Sequence, residues 1–378
     1  MGLANERASS PPKTLWVNAE GRWPLPWLRA PWTQAVAQQG HALLLHGPLG
    51  VGQFELAMVL AQTWLCESPV AFAEGPGLPG FACGRCEACH LLGAGVHPDL
   101  MVLAPEALRD SLGLTVSGEE GAEAASATAG KANSGGREIR VADVRRAIDW
   151  GHQTSSRGRG KVLVLHPAQA LNLVAANALL KTLEEPAGAL RIVLSASDPQ
   201  ALLPTLRSRC QRLELPLPPP ELAMAWLQEQ GLEGAEFLLQ AAGGRPQEAW
   251  AMARDGLDAR LWPELPDLVK QGRADMLHGI PVPRVVDALQ KICLDLMSRA
   301  HGAPACYFPE EALPTGAQLQ PLSAWWQQLQ RTARHAEHPW NAPLLVESLV
   351  LSGRRCWQAR AAGAQGRRAS GRQAAPGP

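Results

Sequence analysis

Four cysteines in the N-terminal part of the chain have the spacing of a metal site. They are Cys66 and the close group Cys83, Cys86 and Cys89. Four thiolates enclose Zn²⁺ tetrahedrally and leave no position for a substrate, so the set predicts a closed structural zinc site. Glycines and prolines at 75–80 give the intervening loop little apolar material, which favours a metal over free surface thiols. His90 and His97 are alternatives for one of the four ligands.

The segment from Leu43 to Phe54 has the pattern of a phosphate-binding loop: a short apolar strand, a turn containing Gly47, Gly50 and Gly52, and a helix start. Such loops end in Gly-Lys-Ser/Thr, where the lysine neutralises the terminal phosphates and the hydroxyl holds Mg²⁺. Here Gln53 supplies no charge and Phe54 supplies no hydroxyl. The loop therefore predicts either anion binding by backbone amides at a helix start or a packing turn without ligand.

A second strand has lost the other half of the same chemistry. In nucleotide hydrolases, acidic residues follow this strand and position Mg²⁺ and the attacking water. In this chain the strand 161–165 is followed by His166 and Pro167. Because the two losses remove different parts of the reaction, we expect no ATP hydrolysis by this chain.

Composition and charge exclude several classes of protein. Lys plus Arg and Asp plus Glu each number 35, so no overall charge attracts DNA or an anionic membrane. Residues 1–13 lack the apolar core of a signal peptide, and no stretch approaches the roughly 20 apolar residues of a membrane span. We therefore expect a cytoplasmic protein. The scattered cysteines are expected to be ordinary buried thiols: Cys210, Cys293, Cys306 and Cys356.

These residues need a multidomain scaffold, which the order of elements predicts to be α/β. Aliphatic runs alternate with helical patterns over 16–215, as in a parallel sheet with helices on both faces, and the clearest strands are Ala42–Leu45, Val162–Leu165 and Ile192–Leu194. Four prolines within 216–220 predict a stiff hinge, and helical patterns follow it. The expected domains are a disordered N-terminus (1–15), an α/β domain (16–215) with a zinc module (66–89) and a disordered insert (108–136), a helical lid (216–255), an all-helical C-terminal domain (256–360) and a disordered tail (361–378).

Two segments resemble bacterial clamp-loader subunits of the AAA+ family. Residues 175–186 read AANALLKTLEEP, and residues 205–210 contain the Ser-Arg-Cys motif of those subunits. The order of parts is also similar, with a cysteine cluster between the two nucleotide motifs, then Gly-Gly-Arg-Pro at 243–246, then helices. The resemblance covers about 16–350, is closest from Lys161 to Cys210, and is weak in the C-terminal domain.

The first of these segments is also an amphipathic helix in its own right. Leu173, Ala176, Leu180 and Leu183 share one predicted face, and a proline at 186 ends the helix. The polar end carries Lys181, Glu184 and Glu185, which the periodicity alone cannot assign to an interface or to solvent.

The family resemblance implies a fold, a function and partners. It implies an AAA+ RecA-like domain, a lid and an oligomerising collar domain, within the DNA polymerase III holoenzyme, a DNA-directed DNA polymerase and nucleotidyltransferase of DNA replication. Arg209 would be the arginine finger that reaches a neighbour's ATP site, and the eroded phosphate loop indicates the non-hydrolysing stator position. The implied partners are the gamma or tau motor subunits and delta in a five-subunit ring, the sliding beta clamp and, indirectly, primer–template DNA.

Two other functions compete with this interpretation. A deviant phosphate-loop ATPase of the motor type would hydrolyse ATP as a purified chain, but Gln53 and Phe54 oppose it. A separate zinc module that binds DNA would need several basic residues, whereas the cysteine turn carries only Arg85. Arg245 stands where functional lids carry a phosphate-sensing arginine, and beside a dead site we expect it to have a structural or vestigial role.

Overall fold

The computed structural model describes residues 15–38, 40–71, 80–114, 136–335 and 341–358. The chain divides after Pro219 into two compact units. The predicted disorder at 1–14, at 115–135 and in the tail 361–378 lies outside the described residues. At the edges of the predicted insert, residues 106–109 form a helical turn and Leu112 is buried.

The first unit is built on a five-stranded sheet whose strand order is β2-β3-β4-β1-β5. All four strand pairings are parallel. The strands are β1 (Ala42–His46), β2 (Leu100–Leu103), β3 (Lys161–Leu165), β4 (Leu190–Ala196) and β5 (Gln211–Glu214). The three strands predicted from aliphatic runs are therefore confirmed, each one to four residues longer than predicted.

Helices cover both faces of this sheet. Successive strand residues point to opposite faces, and every residue of β3 is buried, so neither face of the sheet is open at its centre. The helices of this unit are α1 (Arg29–Ala37), α2 (Gln53–Leu65), α3 (Glu87–Gly93), α4 (Glu106–Arg109), α5 (Val141–Gly151), α6 (Leu173–Glu184) and α7 (Pro204–Arg207). The predicted α/β class with a parallel sheet is confirmed.

The apolar face of α6 differs in part from the predicted one. Asn172 caps the helix by accepting a hydrogen bond from the amide of Ala175 at 2.9 Å, so Leu173 is the first helical residue and is 61% exposed. The buried face begins one half-turn later and consists of Ala175, Ala176, Leu179, Thr182 and Leu183. The assignment of Leu173 to the core face was wrong because the first residue of α6 lies beyond the elements that cover the rest of the helix.

All the secondary structure in the described residues of the second unit is helical. Its helices are α8 (Pro220–Glu229), α9 (Ala235–Ala241), α10 (Pro246–Arg254), α11 (Leu261–Gln271), α12 (Val282–Ala300), α13 (Leu319–Arg334) and α14 (Ala342–Gln358). Pro220 opens α8, a position where the missing N–H costs nothing. One apolar core runs from Ala223 to Cys356. The predicted boundary between lid and C-terminal domain, at 255–256, stays a prediction.

An arginine joins the two predicted parts of this helical unit. Arg284 on α12 donates a hydrogen bond to Asp255 at 2.9 Å and pairs with Glu248 on α10. The guanidinium is 16% exposed, so water screens these pairs only in part. The contact therefore resists movement of α10 against α12.

The scattered cysteines are only in part the buried thiols that were expected. Cys210, Cys293 and Cys356 are buried, and burial raises the pKa of each thiol to about 12. Cys306 is exposed. Among the described residues, the longest apolar stretches of helix are too short and too polar to cross a membrane.

Candidate functional site

The four predicted metal ligands meet in one place. Their Sγ atoms all lie within 4.8 Å of one another. The Sγ of Cys66 is 3.6 Å from that of Cys83 and 3.8 Å from that of Cys86. A tetrahedral zinc with Zn–S bonds of about 2.3 Å requires sulfur–sulfur separations of about 3.8 Å. The donor set and its spacing therefore fit Zn²⁺, and these four residues can hold a metal ion.

Local structure explains why the four sulfurs converge. Cys66 follows the last turn of α2, Cys86 immediately precedes α3, and Cys89 lies one turn further along α3. Between the ligands, Gly84 has φ of 66°, and a Cβ there would meet the backbone of Asn18 at 2.3 Å. Only glycine allows this turn to pass so close to another segment.

Hydrogen bonds prepare the sulfurs for ligation. The amide of Cys83 donates to the Sγ of Cys66 at 3.3 Å, and the amide of Cys86 donates to the Sγ of Cys83 at 3.3 Å. A hydrogen bond from the Cys89 thiol, assisted by backbone amides, lowers the pKa of Cys66 to about 5. The same contact raises the pKa of Cys89. Thiolates are the form that binds a metal, and donors of this kind orient and stabilise them.

The predicted histidine alternatives are not part of this group of four within the described residues. His90 is exposed on α3, whereas His97 is buried and its Nδ1 accepts a hydrogen bond from the amide of Asp99 at 3.1 Å. Burial lowers the pKa of His97 and favours the neutral ring. His97 therefore lies beside the start of β2, next to a buried carboxylate.

That carboxylate, Asp99, was missed by sequence reasoning and anchors the loop before β3. It is fully buried and accepts hydrogen bonds from the hydroxyl of Ser155 at 3.0 Å and from the amides of Ser156 and Arg157 at 2.9 and 3.0 Å. Lys161, itself 5% exposed, lies 3.5 Å away. Burial alone would raise the pKa of Asp99, but the hydrogen bonds and Lys161 together lower it.

The same loop connects the sheet to the cysteine cluster. The Nε of Arg157 donates to the carboxylate of Glu67 at 2.7 Å and its Nη2 forms an ion pair at 2.6 Å, and Glu67 directly follows the predicted ligand Cys66. The pair lowers the pKa of Glu67, chiefly through the hydrogen bond from Arg157. Asp99 therefore supports the end of α2 through the loop that carries Arg157. A lone acid before an apolar strand is the only sequence signal that marks this residue.

The backbone of the phosphate loop has the conformation of a nucleotide-binding loop, but the side chain that follows its last glycine makes different contacts. Gly50 and Gly52 adopt φ of 84° and 105°, the left-handed conformations that such a turn requires. Gln53, 6% exposed, folds back and donates from its amide nitrogen to the carbonyls of Gly47 at 2.6 Å and Pro48 at 2.8 Å. The side chain that replaces lysine is thus bonded to the loop itself.

The two eroded motifs contact one another. Phe54 is 3% exposed, and its ring lies 4.8 Å from that of His166, which follows β3. The Nδ1 of His166 is 2.6 Å from the Oγ of Ser195 on β4. The buried ring of Phe54 therefore occupies the position directly after the loop. A nucleotide hydrolase carries there a hydroxyl that holds Mg²⁺.

Arg209 lies apart from these residues, beyond α7, and has definite partners. Its Nε donates to Oε1 of Glu184 at 2.6 Å, its Nη2 pairs with the same oxygen, and its Nη1 donates to the carbonyl of Thr205 at 2.7 Å. The arginine side chain is 31% exposed and the glutamate side chain 49%. Arg209 is therefore an accessible guanidinium held on its own chain.

Arg245, at the predicted phosphate-sensing position, has a local partner. Its Nε donates to the carbonyl of Ala242, just past α9, at 2.7 Å. Such a bond satisfies one of the carbonyls that a helix end leaves without a partner. This contact supports the structural role that was expected for Arg245.

A phosphate loop between β1 and α2, set in a five-stranded parallel sheet, defines an α/β domain of the phosphate-loop type. In this chain the loop lacks the lysine and the hydroxyl of a working nucleotide site. The family model described as DNA polymerase III, delta subunit, matches residues 33–219.

Two relatives more than 30% identical to this chain are delta' subunits. A DNA polymerase III subunit delta' of Pseudomonas aeruginosa is 35% identical over 69% of this chain and 74% of its own length. Another of Escherichia coli is 32% identical over 75% of this chain and 78% of its own. A solved gamma subunit-related protein from Thermotoga maritima covers 86% of this chain and 97% of its own at 14% identity, with a TM-score of 0.46. The chain belongs to the family of DNA polymerase III delta-prime subunits.

Proposed function

We propose that this chain is the non-hydrolysing stator of a clamp loader in DNA replication, and that it supplies Arg209 to the ATP site of a neighbouring subunit. Membership of the delta-prime family is the basis of the proposal. The observation that carries it is a phosphate loop whose catalytic positions are filled by Gln53 and Phe54, together with a partly exposed arginine, Arg209, in the Ser-Arg-Cys motif.

The proposed partners are the other subunits of the polymerase holoenzyme. A tau subunit of Salmonella typhimurium is 31% identical over 46% of this chain, so the two kinds of subunit share part of one architecture. We propose that gamma or tau, delta and this chain form a five-subunit ring, which loads the beta clamp onto primed DNA. Related chains can pack side by side with similar interfaces, and a ring of this kind brings one subunit's arginine to the next subunit's nucleotide.

The metal we propose for the four cysteines is zinc in a structural role. The sulfur separations and the all-thiolate donor set favour Zn²⁺ over hard cations, which prefer oxygen ligands. A metal bound there would stabilise the segment between α2 and α3. All four coordination positions are taken by protein, so such a metal supplies no catalysis.

The deviant ATPase alternative gains no support from the geometry. A nucleotide's γ-phosphate needs a cation at the loop, and position 53 offers a neutral amide already bonded to two carbonyls. A hydroxyl-held Mg²⁺ needs space that the Phe54 and His166 rings occupy. We therefore propose that the nucleotide-binding region of this chain has only a structural role.

The experiment that tests the proposal is reconstitution. The purified chain, mixed with gamma or tau and delta from the same organism, should form a stable complex that loads the beta clamp onto primed DNA. The chain alone should show no ATP turnover. Failure to join the complex, or ATP hydrolysis by the chain alone when freed of contaminants, would overturn the proposal.

A further inference from the structure

The contact between Glu184 and Arg209 joins two segments that are 25 residues apart in sequence. Glu184 ends α6, and Arg209 follows α7. Both belong to segments that resemble clamp-loader subunits, and the resemblance assigns a task only to the arginine. The Glu184 side chain is half exposed, so water solvates its carboxylate and the charge does not require Arg209 as a partner.

The geometry of the guanidinium shows what the contact does. An arginine carries five N–H donors in a rigid plane. Glu184 accepts a hydrogen bond from Nε and forms an ion pair with Nη2, and the Thr205 carbonyl accepts from one N–H of Nη1. At least one N–H therefore remains on each terminal nitrogen without a hydrogen-bond acceptor within the described part of the chain. Two such donors match the oxygens of a phosphoryl group in a bidentate contact.

We propose that Glu184 is a positioning residue, which fixes the plane of Arg209 so that its outer edge faces a phosphoryl group bound by a neighbouring subunit. This inference rests on the proposed function of Arg209 as a finger in trans. A free arginine side chain has several rotatable bonds, and fixing it in one conformation costs entropy. If Glu184 holds the side chain before the reaction, this entropy cost no longer raises the activation barrier.

A purely electrostatic role of Glu184 would have the opposite effect on the rate of ATP turnover, so the two roles can be distinguished by experiment. A carboxylate beside the guanidinium reduces its net positive charge, so a purely electrostatic view predicts that removing Glu184 would raise the rate. The positioning role predicts that the rate falls. Both bonds from Arg209 end on the same oxygen, Oε1, which a glutamine side chain retains as an amide oxygen. Glu184→Gln should therefore preserve the arrangement, whereas Glu184→Ala should lose it.

The test uses the reconstituted complex and its DNA- and clamp-stimulated ATP turnover. Glu184→Ala should slow the site that Arg209 serves on the order of tenfold, which is the scale of one immobilised long side chain. The whole-complex rate should fall less, and no further than with Arg209→Ala. Glu184→Gln should keep most of the wild-type rate. The matched control is Glu185→Ala, which removes the adjacent exposed carboxylate and should leave the rate unchanged.

A double-mutant cycle separates positioning from a structural role. In an Arg209→Ala background, Glu184→Ala should cause no further loss, because the side chain to be positioned is absent. Complex formation and the midpoint of thermal unfolding should stay at wild-type values for both variants. A further loss in that background, an unchanged rate or a raised rate for Glu184→Ala would each overturn the inference. If Arg209→Ala itself changes nothing, the proposed finger is wrong.

Discussion

Replacing Asp99 by alanine should destabilise the first unit more than removal of any surface charge. The change leaves the amides of Ser156 and Arg157 without their acceptor, and it leaves the ammonium of Lys161 buried without its carboxylate. Removing one partner of a buried ion pair costs about 3–5 kcal/mol. The Trp150 ring, 4.2 Å from the Lys161 Nζ, offsets a small part of this.

The assay is native-state hydrogen exchange of the β3 amides, which reports the free energy of opening this unit separately from the helical unit. Asp143→Ala is the control, since it removes a carboxylate of an i,i+3 surface pair and should cost about 0.5 kcal/mol or less. A loss below about 1 kcal/mol for Asp99→Ala, or equal losses for the two variants, would refute the account of this network.

The pH dependence of Asp99 has a definite sign. Its pKa in the folded protein is below the ordinary value of about 3.9. The ionised carboxylate therefore contributes stability in full above about pH 4, and this contribution is lost as the pH falls through the lowered folded pKa. The wild type should have the higher free energy of unfolding, and its excess over Asp99→Asn should be constant near neutral pH. This excess should shrink only in that acidic range.

Three further predictions concern metal, nucleotide and the helical unit. The wild-type chain should contain one zinc by elemental analysis. Cys86→Ser should lower the zinc content and destabilise the first unit, whereas Cys306→Ser should change neither. Metal-free protein of undiminished stability would contradict the proposed zinc site. Gln53→Lys combined with Phe54→Thr should restore neither ATP hydrolysis nor tight Mg-ATP binding, because the acidic residues after β3 are still missing, and turnover by this variant would oppose the argument. Arg284→Ala should destabilise the helical unit by about 1–3 kcal/mol in urea, since two carboxylates lose their partner, and an unchanged midpoint would show that the contact is not stabilising.

Local patterns predicted much of the fold and the convergence of the four cysteines. The aliphatic runs of β1, β3 and β4 are recognisable because a parallel strand buried on both faces has no polar positions. The four cysteines were recognisable because the usual protein ligands of zinc are cysteine, histidine and acidic side chains, and few other functions require thiols so closely spaced. The erosion of the phosphate loop was equally direct, since the missing lysine and hydroxyl have fixed positions in that motif.

Long-range contacts were the part that the sequence could not supply. Nothing in the spacing indicates that Phe54 contacts the ring of His166, or that Glu184 reaches Arg209, because both pairs depend on how separate βα units meet. The face of α6 was misjudged at Leu173, since periodicity identifies a stripe but not where the covering elements end. Asp99 was missed because a single acid has no motif until its partners are brought to it.

The most direct test of the central claim is the rate of the reconstituted complex when Arg209 is replaced. Arg209→Ala should leave folding, metal content and complex formation unchanged and should lower both DNA- and clamp-stimulated ATP turnover and clamp loading. The loss should be partial, because arginine fingers contribute roughly a thousandfold or more at the one site each serves and the other sites keep theirs. Arg209→Lys should not fully restore the rates, since an ammonium lacks the planar fork, and Arg212→Ala, an exposed arginine on β5, should behave as wild type. Wild-type rates of turnover and loading with Arg209→Ala would contradict the account.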